Sequence, residues 1–357
     1  MAASLLTGFP GFIGRRLAAR LLGDDPELRL YALVEDRALA AARSAASEIE
    51  AERLEVLAGD IGDPRLGLSD DDYERLAGEV GDVFHLAAIY DLAVPLTLAQ
   101  RVNVEGTGNV LDFCRAAPQL ERLVYVSTAY VAGKRTGVVY EHELAMGQEF
   151  KNHYESTKFQ AEVWVREEMA RVPTTILRPA IVVGDSRTGE TQKFDGPYFI
   201  LRVISQAEQA GRAIPNFGRS RAPFNVVPVD FVVDCIAAVA SVPEAVGETL
   251  HLVDPEPVTA AELTETLSLE YSGRRPRGRV PPALAAASLR LGPVRARLGG
   301  VPPESIAYLN HAVKFDTRRA VSILAPRGLR PPEFREYARP MVEFFRSHED
   351  DPDLVPS

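Results

Sequence analysis

Residues Thr7 to Gly14, Thr-Gly-Phe-Pro-Gly-Phe-Ile-Gly, constrain this chain more than any other stretch. They follow a short apolar run, Ser4–Thr7, and open an amphipathic one, Phe12–Leu22. The pattern is that of a strand, a glycine turn and a helix. Glycines spaced GxxGxxG permit a tight turn and let the backbone approach a diphosphate. The helix N-terminus offers unpaired N–H groups and a partial positive charge to the same anion. Thr7, Gly8, Phe9, Pro10, Gly11, Phe12, Ile13 and Gly14 are therefore candidates for holding a dinucleotide.

The chain behind the turn keeps alternating. Strands are predicted at Leu30–Val34, Leu54–Leu57, Val83–Leu86, Leu123–Ser127 and Thr174–Leu177. Helices are predicted at Ala38–Arg53, Val94–Ala116 and Tyr154–Arg171. The strands are apolar throughout, which suits a sheet covered on both faces. Such alternation predicts an α/β fold, a Rossmann-type doubly wound parallel sheet. A chain of 357 residues is long for one core, so a smaller C-terminal substrate lobe is expected beside it. The dinucleotide-binding domain is placed at residues 1–180, completed by about 225–254, and the lobe at 181–224 and 255–357.

Past Arg178-Pro179, Gly184–Gly196 is predicted as a loop and Phe199–Gly211 as a helix. Asn225–Val229 is predicted as a return strand, with a helix after it to about Ala240. Glu333–Phe345 is expected to be a closing helix. The lobe would draw on Lys193–Gly211 and the region after Pro255. Ala283–Leu298 mixes apolar residues with Arg290, Arg295 and Arg297. It is expected to pack on the lobe as an amphipathic helix, with an acyl-chain lid or peripheral membrane contact as the alternative.

Composition excludes several classes. A net charge of −10 disfavours a nucleic-acid partner. The two cysteines, Cys114 and Cys235, lie in apolar runs with no CxxC pair, so buried thiols are expected rather than a disulfide or a metal site. No apolar run reaches the roughly 18 residues of a transmembrane helix. Nor does the N-terminus look like a signal peptide, which leads to a cytoplasmic expectation.

Chemistry enters with Tyr154-Glu155-Ser156-Thr157-Lys158. Four residues apart on a helix, Tyr154 and Lys158 share one face. A neighbouring cation favours phenolate and would lower the tyrosine pKa towards the working range, readying it for proton transfer to a carbonyl oxygen. Upstream, Ser127 and Thr128 set hydroxyls at the C-terminal end of a predicted strand, where open α/β sheets bind ligands. Glu35 and Asp36 close the second strand about 20 residues past the glycine turn, where an acid can hold ribose hydroxyls. Arg37 lies beside them and could instead neutralise a 2′-phosphate. The residues alone leave NAD and NADP open.

Together, the glycine turn, the hydroxyl-bearing strand end and the YxxxK pair resemble the extended short-chain dehydrogenase/reductases. The nearest resemblance is to the thioester reductase and fatty acyl-CoA reductase branch. It extends over Gly59-Asp60-Ile61, His85-Leu86-Ala87-Ala88, Val102–Thr107, Val126–Gly133, and Leu177-Arg178-Pro179 with Gly184–Gly189.

The resemblance implies roles. Asp60, with Ile61, would meet the adenine, and Ala87 and Ala88 would line the cofactor path. Thr128 rather than Ser127 would be the catalytic hydroxyl. Asn103 would hold its helix and a water that relays to Lys158, while Lys158 would also bind the nicotinamide ribose. The segment after Pro179 would wrap the nicotinamide. NADP(H) is favoured by the resemblance, although Glu35 stands where an arginine is usual in that branch, which keeps NAD(H) open.

The implied reaction is reduction of a hydrophobic carbonyl, foremost a fatty acyl thioester on CoA or a carrier protein, to aldehyde or alcohol. A homodimer is also implied. The alternatives are a nucleotide-sugar epimerase or dehydratase, a hydroxysteroid-type dehydrogenase, and a non-catalytic NAD(P)-sensing protein.

Overall fold

Seven parallel strands form the centre of the molecule: β1 (Ala3–Thr7), β2 (Arg29–Val34), β3 (Leu54–Ala58), β4 (Val80–His85), β5 (Arg122–Val126), β6 (Thr174–Pro179) and β7 (Thr249–Leu252). Their order is β3-β2-β1-β4-β5-β6-β7. The computed structural model describes residues 3–50, 52–91, 94–217, 221–280 and 303–354, with 284, 287, 289, 290 and 292 between the last two segments. Every residue of β1, β5, β6 and β7 is buried. That explains why these strands are apolar rather than alternating: helices cover both faces. The strand order reverses between β1 and β4, opening a crevice at their C-terminal ends.

The helix Phe12–Asp24 buries Leu17, Ala18, Leu21 and Leu22, the stripe expected of an amphipathic helix. The predicted helix Val94–Ala116 is less regular. It comprises Leu96–Ala99, a π-helical turn over Gln100–Glu105, and Gly106–Ala116. A π turn re-phases side chains along a helix and often marks a functional position; here it carries Asn103.

One predicted strand pairs outside the main sheet. The predicted return strand Asn225–Val229 does form a strand, Val226–Pro228, but it pairs with Ile181–Val183 in a separate two-stranded parallel sheet. The place next to β6 is taken by β7 instead. Hydrophobic runs identify strands but not partners, and a strand of three residues carries little information about its neighbour.

Beyond the sheet, the helices Tyr198–Gln209, Ala260–Ser272 and Phe334–His348 pack together. One apolar cluster joins them to the sheet, running from Leu6 and Leu177 to Leu201, Leu267 and Phe345. The loop after Ile181–Val183 is pinned by Ser186, whose hydroxyl and amide both donate to Asp230. Most of Ala283–Leu298 lies outside the described residues. Among the described residues no helix is long and apolar enough to cross a membrane. Cys114 and Cys235 are buried and free.

Candidate active site

The glycine turn sits at the crevice between β1 and β4. Gly8 has φ +90°, and a Cβ there would stand 2.9 Å from the amide nitrogen of Ala87. A Cβ on Gly14 would stand 2.4 Å from the carbonyl oxygen of Gly8. No side chain fits at either place, so the turn closes directly onto the helix. The helix starts after Gly11 with no side-chain cap and no acid in its first turn. Its first N–H groups are thus left for an outside acceptor. A narrow backbone cradle at an uncapped helix N-terminus fits the diphosphate of a dinucleotide.

Thr7 locks the turn to β4. Its hydroxyl donates to His85 Nδ1 at 2.7 Å and accepts from the amides of Leu86 and Ala87, each at 3.2 Å. His85 Nε2 meets Thr107 Oγ1 at 3.0 Å, and that hydroxyl donates to the carbonyl of Asn103 at 2.7 Å. Thr107 must therefore accept from His85, which fixes the imidazole with its proton on Nε2. Burial holds His85 down at about 3, with Lys158 adding to the effect. Ala87 and Ala88 follow, half-buried, along the crevice.

Glu35 and Arg37 close β2 and pair with each other at 2.5 Å, with Arg37 largely exposed. Asp60 follows β3. Its carboxylate accepts from the amide of Gly62 at 2.7 Å and from Arg101 at 2.7 Å. Ile61 is buried, packed where Gly106 leaves room on its helix, and its carbonyl accepts from Asn109. Arg101, two residues before Asn103, is a neighbour of Asp60 that the sequence pattern does not reveal.

At the other end of the crevice, β5 delivers Ser127 and Thr128, both buried. The helix His153–Glu168 lies beside them, capped by Asn152, whose side chain accepts from the amide of Glu155. Lys158 donates to the carbonyl of Val126 at 2.8 Å and stands 4.4 Å from the centre of the Tyr125 ring. The Thr128 hydroxyl lies near the Tyr154 phenol and favours its phenolate. The Ser127 hydroxyl is turned away, donating to Glu162 at 2.6 Å. Asn103 spends its side-chain amide on the backbone of Ile89, at 2.8 and 3.1 Å, and on Thr157 at 3.0 Å. It thereby ties the loop after β4 to the Tyr154 helix. Pro179 is buried at the end of β6.

The charges differ from the simple expectation. Burial pushes the Tyr154 phenol up to about 12, with Thr128 lowering it. Burial pushes Lys158 down to about 7, and Glu162 opposes that. Tyr154 thus stays a neutral phenol at neutral pH rather than falling into the working range. The reason is that the loss of hydration outweighs what its neighbours return.

Thr128, Tyr154, Lys158, Asn103 and the glycine turn all converge on the C-terminal ends of β1, β4 and β5. Glu35, Arg37 and Asp60 lie along the ends of β2 and β3. Sequence reasoning assigned no role to His85, Arg101, Glu162 or Arg178. Glu162 lies four residues past Lys158, so its place on the same helix face was readable in principle.

Fold and site together define a dinucleotide-binding domain of the extended short-chain dehydrogenase/reductase class. The chain belongs to the male sterility protein family, whose NAD-binding sequence profile matches residues 6–236. It is similar to the L-2-aminoadipate reductase of Penicillium chrysogenum, 29% identical to the large chain of that enzyme over 278 residues that make up 71% of this chain and 19% of that one. It is also similar to a carboxylic acid reductase of Mycobacterium tuberculosis, 28% identical over 70% of this chain and 24% of that protein. The chain therefore spans a minor part of these relatives' length. Among solved structures, the terminal R domain from the myxalamid PKS-NRPS biosynthetic pathway superposes with a TM-score of 0.81 at 27% identity, covering 98% of this chain and 91% of that one.

Proposed function

We propose that this chain is an NADPH-dependent reductase of acyl thioesters, with Thr128, Tyr154 and Lys158 as its reacting groups and Asn103 as their support. The observation that carries the reading is the placement of the Thr128 hydroxyl near the Tyr154 phenol, with Lys158 one helical turn on and bonded to Val126, at the crevice that holds an uncapped glycine turn. The likeness to carboxylic acid reductase and to a terminal R domain supports a thioester over other carbonyls.

A reduced nicotinamide, when bound, supplies hydride to the carbonyl carbon. Thr128 and Tyr154 hold the carbonyl oxygen, and Tyr154, kept protonated by burial, gives up its proton to it. The Lys158 ammonium stabilises the phenolate left behind. From a thioester, this addition yields a hemithioacetal, which collapses to an aldehyde and a free thiol. A second reduction would give the alcohol.

The glycine turn, Ala87, Ala88 and Pro179 line the cofactor path. Asp60 and Ile61 bound its adenine end, Glu35 and Arg37 its adenosine ribose, and the backbone at Ser127 its inner wall. The lobe at residues 181–224 and 255–357 receives the acyl group, which arrives on CoA or a carrier protein.

The test mixes purified protein with a long-chain acyl-CoA and, separately, with an acylated carrier protein. Reduced-nicotinamide absorbance is followed with NADPH and with NADH. Acyl-dependent oxidation that vanishes in Tyr154→Phe is the expected result. Reduction of free aldehydes or ketones without any thioester turnover would move the protein to a carbonyl reductase.

A further inference from the structure

Three consecutive residues at the end of β5 each face one residue of the helix His153–Glu168, and the three faced residues are spaced four apart. The Val126 carbonyl accepts from Lys158 at 2.8 Å and Ser127 donates to Glu162 at 2.6 Å, while the Thr128 hydroxyl lies near the Tyr154 phenol and lowers its pKa. Positions 154, 158 and 162 form one stripe along the helix. Two of these three contacts belong to the proposed chemistry. The third, at Glu162, has no part in it.

Glu162 is fully buried, and so is its partner Arg178 on β6. Arg178 reaches both carboxylate oxygens, the closest contact being 2.6 Å. Its remaining donors go to the carbonyls of Glu141 and Glu143 and to the ring of His251 on β7. Arg166 meets Glu162 from the next turn at 3.1 Å. A buried ion pair of this kind contributes little net stability, because desolvation offsets the attraction. Its position suggests another use.

We propose that Glu162 is a positioning residue: clamped by Arg178 and Ser127, it holds the proton on Lys158 and keeps the end of β5 in register with the Tyr154 helix. This rests on the reading of Tyr154, Thr128 and Lys158 as the reacting groups. The groups nearest Lys158 carry no negative charge: the neutral imidazole of His85 from β4, the Tyr125 ring and Val126 carbonyl from β5, and the neutral phenol of Tyr154 from its own helix. Glu162 is the carboxylate that acts on Lys158 to favour its charged form, and Arg178 and Arg166 stand behind it. The same clamp fixes Ser127 between Val126, which holds Lys158, and Thr128, which lies near Tyr154, so a slip of the strand end would disturb both.

The test reads Lys158 directly, without cofactor or turnover. The chain has five lysines, Lys134, Lys151, Lys158, Lys193 and Lys314, so lysine labelled with carbon-13 at Cε gives a spectrum simple enough to assign with Lys158→Met. Glu162→Gln is expected to lower the titration midpoint of Lys158 by about one pH unit or more, while Glu162→Asp stays close to the wild type. The alkaline limb of the kcat/KM profile moves to lower pH in parallel. Should Glu162→Gln fail to fold because Arg178 is left unpaired, the double variant Glu162→Gln, Arg178→Gln removes both charges and is expected to show the lowered midpoint too. An unchanged Lys158 midpoint in whichever of these variants folds would overturn the inference. That result would leave the assignment of Tyr154 standing, since Tyr154→Phe tests it separately by turnover.

Discussion

Thr7 and His85 meet at 2.7 Å across the ends of two adjacent strands, β1 and β4, directly beneath the glycine turn. Residues 78 positions apart thereby fix the floor of the crevice. The contact depends on a neutral imidazole accepting at Nδ1, so it carries a consequence for pH. His85 is held at about 3 by burial. A depressed folded-state pKa contributes stability that is fully present above the unfolded value near 6.5 and is lost as pH falls towards about 3. Between pH 7 and 5 the loss from this group is about 2 kcal/mol. Nitrogen-15 spectra of the histidine side chains should show His85 neutral, with its proton on Nε2, at pH 5. A His85→Gln variant should lose about 2 kcal/mol less than the wild type over the same interval in denaturant melts.

Gly14→Ala tests the cradle. Its Cβ would press on the Gly8 carbonyl, so the turn or the helix must shift. Overpacking of this kind costs about 1–3 kcal/mol, and dinucleotide affinity, measured by calorimetry, should weaken by about tenfold or more. Gly23→Ala is the control. It lies near the end of the same helix, exposed, with nothing within 4 Å of the added carbon. That variant should gain about 0.5–1 kcal/mol and bind normally.

Removal of the Tyr154 hydroxyl should reduce kcat by about a hundredfold to ten-thousandfold. Dinucleotide binding, read by tryptophan or nicotinamide fluorescence, should stay within about twofold of the wild type. Thr128→Val should cost about a hundredfold to a thousandfold in kcat, whereas Thr128→Ser, which keeps the hydroxyl, should retain most activity. Equal losses in the two Thr128 variants would show that the position serves packing alone.

The Glu35–Arg37 pair at the end of β2 should tune the cofactor preference. With Glu35 in place, Arg37 is already partnered. Glu35→Gln frees it for a 2′-phosphate and should raise the ratio of NADPH to NADH affinity by about tenfold. Arg37→Ala should lower the ratio. Binding titrations with both dinucleotides, without substrate, decide the matter; a ratio that ignores both substitutions would remove these residues from the recognition of the ribose.

The sequence by itself determined what is local. The glycine turn, the strand–helix alternation and the Tyr154–Lys158 spacing each lie within a few residues, and each depends on backbone geometry that periodicity exposes. Those features sufficed for the parallel sheet and for naming Tyr154 and Lys158 as candidates. Partner choice was beyond them. That Val226–Pro228 joins Ile181–Val183 while Thr249–Leu252 takes the edge of the main sheet is decided by packing among distant segments. The same holds for Asp60 with Arg101, for Thr7 with His85, and for Glu162 with Arg178 and Ser127. The protonation of the site was likewise a tertiary matter. Sequence spacing places a lysine beside a tyrosine and predicts a lowered phenol pKa, but burial is the larger effect here. It raises Tyr154, lowers Lys158, and acts only once distant segments have packed around them.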